Sequence, residues 1–186
     1  MAVDAKFVLT GAKRVVDDRP MYAQVVVTDD CNLTCSYCDE YTPGAPIIPL
    51  ETLKARIDKL DDLGVLVYDF LGGETMMHPD IAALVKHVKS KRGGSNLATI
   101  ITNGFLLTAD SIRALNEAGL DFMQVSVDSL HPTEHSDKCL KAILPRLRVL
   151  AKEAKFQVEI QTVLNDDTLS TYAEFRETVK EFPFAF

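Results

Sequence analysis

Five apolar runs rich in β-branched residues recur along the chain, separated by segments of helical character. The runs are AQVVVT (23–28), VLVYDFL (65–71), ATIIT (98–102), FMQVSV (122–127) and FQVEIQTV (156–163). Several are almost continuously apolar, which is typical of parallel strands whose outer face is covered by helices. The pattern therefore predicts five strands of one parallel sheet.

Between the runs, apolar residues recur at spacings of three and four, which predicts an amphipathic helix after each strand. The marking residues are Leu53, Ile57 and Leu60; Ile81, Leu84, Val85 and Val88; Ile112 and Leu115; and Tyr172, Phe175, Val179 and Phe182. The fourth helical segment (138–152) contains Pro145, which predicts a kink or a helix that restarts there. Thr108 and Thr168 are predicted N-caps.

A strand followed by a helix, five times over, predicts an α/β fold with right-handed crossovers. We expect an N-terminal amphipathic helix or lead-in at residues 1–21 and one domain at 22–186, because no long polar linker interrupts the chain. The chain stops at FPFAF (182–186), where a sixth strand would begin. We therefore expect the domain to be truncated at its C-terminal end.

Composition narrows the class of protein. Apolar residues make up 47% and charged residues 25% of the chain, as in ordinary globular proteins. The net charge of −7 argues against binding to a nucleic-acid backbone. No apolar run reaches the length of a membrane span, and the N-terminus lacks the apolar core of a signal peptide. We expect a cytoplasmic protein, in which clustered cysteines are metal ligands rather than disulfides.

Three of the four cysteines, Cys31, Cys35 and Cys38, lie in the nine residues CNLTCSYCD directly after the first predicted strand. The carboxyl end of a parallel strand is where α/β proteins build their sites. A structural zinc site normally has four protein ligands, and no second C-x-x-C or H-x-x-H pair completes one. Three thiols on one loop instead indicate an iron–sulfur cluster with one iron left free of protein ligands. Cys139 is predicted to be a small core residue.

The spacing Cys31-x3-Cys35-x2-Cys38 resembles the cluster motif of the radical S-adenosylmethionine (SAM) superfamily. Tyr37 supplies the aromatic residue that usually precedes the last cysteine of that motif. The resemblance implies that these three cysteines are the metal ligands of a 4Fe–4S cluster.

Three further motifs agree with this resemblance. GGET (72–75) is similar to the family's glycine-glycine-glutamate-proline, with Thr75 in place of proline. TNG (102–104) and SVDS (126–129) close the third and fourth predicted strands, as in many members. The similarity runs from about residue 22 to residue 165, and it implies a partial (β/α)6 barrel with about five strand–helix units present here.

The resemblance also implies an activity and its partners. The family uses a 4Fe–4S cluster and SAM, and reductive cleavage of SAM gives a 5′-deoxyadenosyl radical that abstracts hydrogen from a substrate. The implied partners are an unidentified substrate (small molecule, lipid or peptide) and an electron donor such as flavodoxin or ferredoxin. No residue beyond the cluster ligands is assigned a catalytic role.

Residues implied to bind SAM lie at strand ends and in the cysteine loop. They are Tyr37, Gly72, Gly73, Glu74, Ser126 and Asp128. By resemblance, Tyr37 contacts the adenine, Glu74 the amino group, and Ser126 the carboxylate or ribose. Ser126 and Asp128 alternate on one side of a strand end, so both can face the barrel. Asn103, next to Gly104, is assigned to a turn rather than to ligand binding.

Two alternative functions remain open from the sequence. One is an RNA-modifying member of the same superfamily, for which the chain offers only the short basic stretch KSKR (89–92). The other is a non-catalytic iron–sulfur or zinc-binding module, in which Cys139 or a histidine would be the fourth ligand of a zinc ion. GGET, TNG and SVDS argue against the second alternative, because a module without SAM has no need of them.

Overall fold

A single parallel sheet organises the computed structural model, which describes residues 5–39 and 41–185. Its strands are β1 (Tyr22–Val26), β2 (Val67–Leu71), β3 (Leu97–Thr102), β4 (Phe122–Ser126) and β5 (Gln157–Gln161). They lie in the order β1-β2-β3-β4-β5, and every neighbouring pair is parallel. The five predicted strands and their parallel pairing are confirmed.

A helix follows every strand, as the spacing predicts, and another helix precedes the first strand. They are α1 (Ala5–Val16), α2 (Leu50–Leu63), α3 (Ile81–Ser90), α4 (Ala109–Ala118), α5 (Leu140–Glu153), α6 (Asp166–Leu169) and α7 (Tyr172–Val179). Short 3₁₀ turns at Thr75–Met77 and Lys91–Gly94 precede and follow α3. None of the helices within the described ranges is long and apolar enough to cross a membrane.

The helix ends confirm one predicted N-cap and correct another. Thr108 caps α4, and its Oγ1 accepts a hydrogen bond from the Ser111 N–H at 3.1 Å. Thr168 does not begin a helix, because Asn165 caps α6 and its Oδ1 accepts from the Thr168 N–H at 3.0 Å. The Thr168 hydroxyl in turn accepts from the Asn165 N–H, so the two residues form a reciprocal capping box.

Pro145 does not divide the fourth predicted helix. Helix α5 runs from Leu140 to Glu153 with Pro145 inside it, so the helix does not restart at the proline. Buried Ile143 and Leu147 on either side of Pro145 pack into the core. Tertiary packing of this apolar face therefore outweighs the hydrogen bond that proline cannot donate.

The two faces of the sheet have different environments. On one face, strand residues such as Ile100, Met123 and Val125 are fully buried and belong to the same core cluster as the inner faces of the helices. On the other face, Ile101 and Ser126 are only half-buried. The second face is therefore the open side of the sheet, where a ligand can approach.

The chain returns to the sheet after α7. Phe182 and Phe184 stack with ring centroids 5.4 Å apart, and Ala185 makes a parallel bridge to Glu159 of β5. This bridge lies where the sixth strand was predicted to begin. Phe186, the last residue of that prediction, lies outside the described residues.

Candidate functional site

A cavity of about 160 Å³ lies at the carboxyl ends of β2, β3 and β4. Leu71, Thr102 and Ser126, the last residues of these strands, all line it. The other lining residues are Cys31, Leu33, Cys35, Cys38, Tyr41, Gly72, Gly73, Glu74, Ile101, Asn103 and Lys138. The fold thus brings all three predicted cluster ligands and four of the six predicted SAM contacts to one cavity.

Gly72 and Gly73 are required by the close approach of two backbone segments. Gly72 has φ of +154°, and a Cβ there would lie 2.1 Å from the Thr28 carbonyl oxygen. A Cβ on Gly73 would lie 2.2 Å from the Asp30 carbonyl oxygen. The approach is fixed by hydrogen bonds from the Gly73 and Glu74 N–H groups to the Thr28 and Asp30 oxygens, at 2.8 and 2.9 Å. The glycines therefore seat the base of the cysteine loop directly against the end of β2.

Thr75, at the position of the family's proline, adds a contact that proline lacks. Its buried hydroxyl donates to the Ile101 carbonyl oxygen at 2.7 Å. The substitution therefore ties the GGET turn to β3.

Glu74 is almost fully buried, and both of its carboxylate oxygens already have partners in the chain. Oε1 accepts from Thr102 Oγ1 at 2.5 Å and from the Met76 N–H at 2.9 Å. Oε2 accepts from the Asn103 N–H at 2.7 Å. A carboxylate has about four acceptor sites, so Oε2 retains one for a ligand. Burial raises the pKa of Glu74 and the hydrogen bonds oppose this shift, so an arriving cation would favour the ionised form.

The three cysteines have free thiols in different surroundings. Cys31 and Cys35 are half-buried and Cys38 is exposed. Cys31 Sγ accepts from the Leu33 N–H at 3.4 Å and lies 3.8 Å from Asn103 Nδ2. Burial raises the pKa of the Cys31 thiol. Ligation of a metal would remove its proton.

The donor set fits a cluster better than a single ion. Among residues 5–39 and 41–185, no group of three or more histidine, cysteine, aspartate or glutamate side chains converges closely enough to hold one metal ion. A 4Fe–4S cluster distributes its cysteines over separate irons, so thiols spread around a shared cavity suit it. The three thiols of the lining also match the preference of iron–sulfur clusters for thiolates.

Tyr37 and Asp128 lie beside the cysteine cavity and not in its lining. The Tyr37 hydroxyl donates to Asp128 Oδ2, and Lys138 Nζ lies 3.5 Å from the same oxygen and 5.0 Å from the centre of the Tyr37 ring. Burial, followed by the hydrogen bond to Asp128, raises the pKa of Tyr37 to about 12. Tyr37 and Asp128 line a second cavity of about 390 Å³. Ser126 and Asp128 therefore face different cavities.

Asn103 and Lys138 place an amide and an ammonium group at the cavity that were not predicted to lie there. Asn103 stabilises the predicted turn, because its Oδ1 accepts a hydrogen bond from the Phe105 N–H at 3.0 Å. Its Nδ2 also donates to Asn32 Oδ1 at 2.9 Å. Lys138 follows no motif, and only the path of the loop after β4 brings it to the cavity. Cys139 is buried and does not line the cavity, as expected of a core residue.

Comparisons with known proteins agree with this arrangement. A model of the radical SAM superfamily matches residues 25–178. GTP 3′,8-cyclase 1 of Mycobacterium tuberculosis is 30% identical over 169 residues, which cover 82% of this chain and 47% of that protein. GTP 3′,8-cyclase of Campylobacter jejuni subsp. doylei is 30% identical over 176 residues, covering 88% and 54%. The chain spans about half the length of the curated relatives it matches.

The fold also has counterparts among solved structures. The crystal structure of Streptococcus suis SuiB bound to S-adenosylmethionine matches with a TM-score of 0.70 and 18% identity, covering 95% of this chain and 40% of that chain. At this identity the likeness concerns the fold alone. It confirms the predicted partial barrel.

Proposed function

Because the chain belongs to the radical SAM superfamily, we propose that Cys31, Cys35 and Cys38 hold a 4Fe–4S cluster in the cavity and that SAM binds beside it. The observation that carries the proposal is that one cavity is lined by all three thiols and by the Gly72–Gly73–Glu74 turn. When bound, the cluster and SAM together supply a 5′-deoxyadenosyl radical upon one-electron reduction.

The residues of the chain then have distinct tasks. Glu74 offers its remaining acceptor site on Oε2 to the SAM ammonium group, in a charge-assisted hydrogen bond. Ser126, half-buried at the end of β4, lines the same cavity as Glu74 and offers its hydroxyl to SAM there. The Gly73 and Glu74 N–H groups are hydrogen-bonded to the Thr28 and Asp30 carbonyl oxygens, in the segment directly before the cysteine loop. These bonds fix the distance between the cysteine loop and Glu74.

We propose a nucleotide as the substrate, specifically GTP or a close analogue. Both curated relatives described above carry the name GTP 3′,8-cyclase. A bond between C3′ and C8 of GTP requires that C3′ lose its hydrogen, and a carbon-centred radical can abstract a hydrogen atom from a C–H bond. Among the described residues that line the cavity, Lys138 is the only basic side chain, and its ammonium group, 3.5 Å from Asp128 Oδ2, would have to turn from that carboxylate to meet an anionic group.

The proposal predicts transfer of the C3′ hydrogen of GTP to SAM-derived 5′-deoxyadenosine. The purified, anaerobically reconstituted protein is incubated with SAM, dithionite and GTP deuterated at C3′. Mass spectrometry should detect 5′-deoxyadenosine that carries one deuterium, and ATP deuterated at C3′ serves as the matched control.

Two other outcomes separate the parts of the proposal. Cleavage of SAM without deuterium transfer from GTP would overturn the nucleotide assignment and leave the radical chemistry standing. No cleavage of SAM by the cluster-loaded protein would contradict both.

A further inference from the structure

The loop between β4 and α5, residues 127–139, packs directly on the cysteine loop. The Ser36 N–H donates to the His135 carbonyl oxygen at 2.9 Å, and Ser36 Oγ lies 3.0 Å from His135 Nδ1. One residue further along, Ser136 Oγ lies 3.3 Å from Cys35 Sγ. Ser36 therefore pairs with His135, and Cys35, a predicted cluster ligand, pairs with Ser136.

The Ser136 side chain is held in a fixed position. The residue is buried, with 5% of its surface exposed. Its N–H donates to Thr133 Oγ1 at 3.1 Å, and its carbonyl oxygen accepts from the Thr133 N–H at 3.0 Å. Both backbone groups of Ser136 are thus hydrogen-bonded within the loop, and its hydroxyl is held next to the cysteine loop.

The direction of the Ser136–Cys35 hydrogen bond in the cluster-loaded site follows from the protonation state of the sulfur. Ser136 Oγ already accepts a hydrogen bond from the Lys138 N–H at 3.1 Å. That contact does not use the hydroxyl proton, and Cys35 Sγ lies within hydrogen-bond distance, where either atom can be the donor while the thiol is protonated. A cysteine sulfur bound to iron is a thiolate without a proton, so in the loaded site the serine must be the donor.

We propose that Ser136 is a positioning residue that donates a hydrogen bond to the Cys35 sulfur and raises the reduction potential of the cluster. This inference rests on the proposed function, in which Cys35 is a cluster ligand. Reduction adds negative charge to the cluster and its sulfurs, so a donated hydrogen bond stabilises the reduced state more than the oxidised state. Hydrogen bonds to the sulfurs are among the features that set cluster potentials.

Ser136 is better suited to this task than the other donors near the sulfurs. Asn103 Nδ2 lies 3.8 Å from Cys31 Sγ and has a shorter contact, 2.9 Å, with Asn32 Oδ1. The Leu33 N–H near Cys31 belongs to the backbone of the cysteine loop itself. Among the described residues, Ser136 thus makes the shortest side-chain hydrogen bond to a sulfur of the cysteine loop.

The test compares Ser136→Ala, Ser136→Thr and Ser36→Ala in the reconstituted protein. Ser136→Ala removes the donor to sulfur, and Ser136→Thr retains a hydroxyl. Ser36→Ala is the matched control, because it removes a hydroxyl between the same two loops that contacts His135 and makes no hydrogen bond to a sulfur of the described residues. The midpoint potential of each cluster is measured by dithionite titration followed by electron paramagnetic resonance (EPR). Hyperfine spectroscopy in H₂O and D₂O reports exchangeable protons near the cluster.

Ser136→Ala should lower the equilibrium constant for cluster reduction about tenfold, which is ~59 mV for a one-electron couple. It should also lose one exchangeable proton coupling. Ser36→Ala should keep the wild-type potential and coupling, and Ser136→Thr should restore most of the shift.

The inference is overturned if Ser136→Ala keeps the wild-type potential, if Ser36→Ala shifts it equally, or if Ser136→Thr behaves like the alanine variant. Loss of iron from Ser136→Ala alone would make the contact structural and would also overturn the tuning role. A wild-type protein that binds no cluster would instead contradict the proposed function.

Discussion

Replacement of Cys31, Cys35 or Cys38 by alanine is expected to reduce protein-bound iron from about four atoms per chain to background. Each thiol lines the same cavity, and the other described residues of the lining include no fourth cysteine that could substitute. With one cysteine removed, the two remaining thiolates bind only two of the four irons. Because the four irons belong to one cluster, they should all be lost together. Iron and sulfide assays after anaerobic reconstitution measure the effect.

Cys139→Ala is the matched control for these variants. Cys139 is buried at the start of α5 and lies outside the cavity, so its removal should leave iron binding unchanged. Full iron content in any of the three loop variants would contradict the ligand assignment. A colourless wild-type protein with one zinc per chain would contradict it as well.

Gly73→Ala is expected to lower the free energy of unfolding of the apo-protein by about 3 kcal/mol, at the upper end of the cost of overpacking. The added Cβ would lie 2.2 Å from the Asp30 carbonyl oxygen and 2.8 Å from the Asp29 carbonyl oxygen. Both are backbone atoms, so the cysteine loop or the end of β2 must move. Urea unfolding measures the stability, and iron content after reconstitution should fall as well.

Gly93→Ala separates the effect of close approach from the loss of a glycine. Gly93 has φ of +65°, but a Cβ there meets no atom of the described part of the chain within 4 Å. Its replacement should cost only the backbone strain of the left-handed region, ~1 kcal/mol, and should leave the iron content unchanged. Equal destabilisation by the two variants would show that the contact with Asp30 is not what makes Gly73 necessary.

Much of the fold follows from the sequence because its signals are local. Several of the five strands are short and almost continuously apolar runs, which is the local pattern of a strand in a covered parallel sheet. Thr108 lies directly before the apolar spacing of α4, and it caps that helix. Thr168 was misassigned because its partner in the capping box, Asn165, lies three residues earlier and has the stronger capping preference.

The candidate site also has a part that could be predicted from the sequence and a part that could not. The glycine pair and Glu74 directly follow β2, and Cys31 lies in the loop after β1. A parallel sheet gathers its functional groups at this edge, so their cavity was predictable. The contact of Ser136 with Cys35 joins residues 101 positions apart through an irregular loop. No periodicity determines the path of such a loop, and Lys138 reaches the cavity by the same unpredictable path.

The central claim is that the cavity holds a cluster with an open iron that takes up SAM. The most direct test is the EPR spectrum of the dithionite-reduced, reconstituted protein, recorded with and without SAM. Wild-type protein should show a changed spectrum when SAM is added, and Glu74→Gln should retain its iron but need more SAM for the same change. An identical wild-type spectrum with and without SAM would contradict the claim.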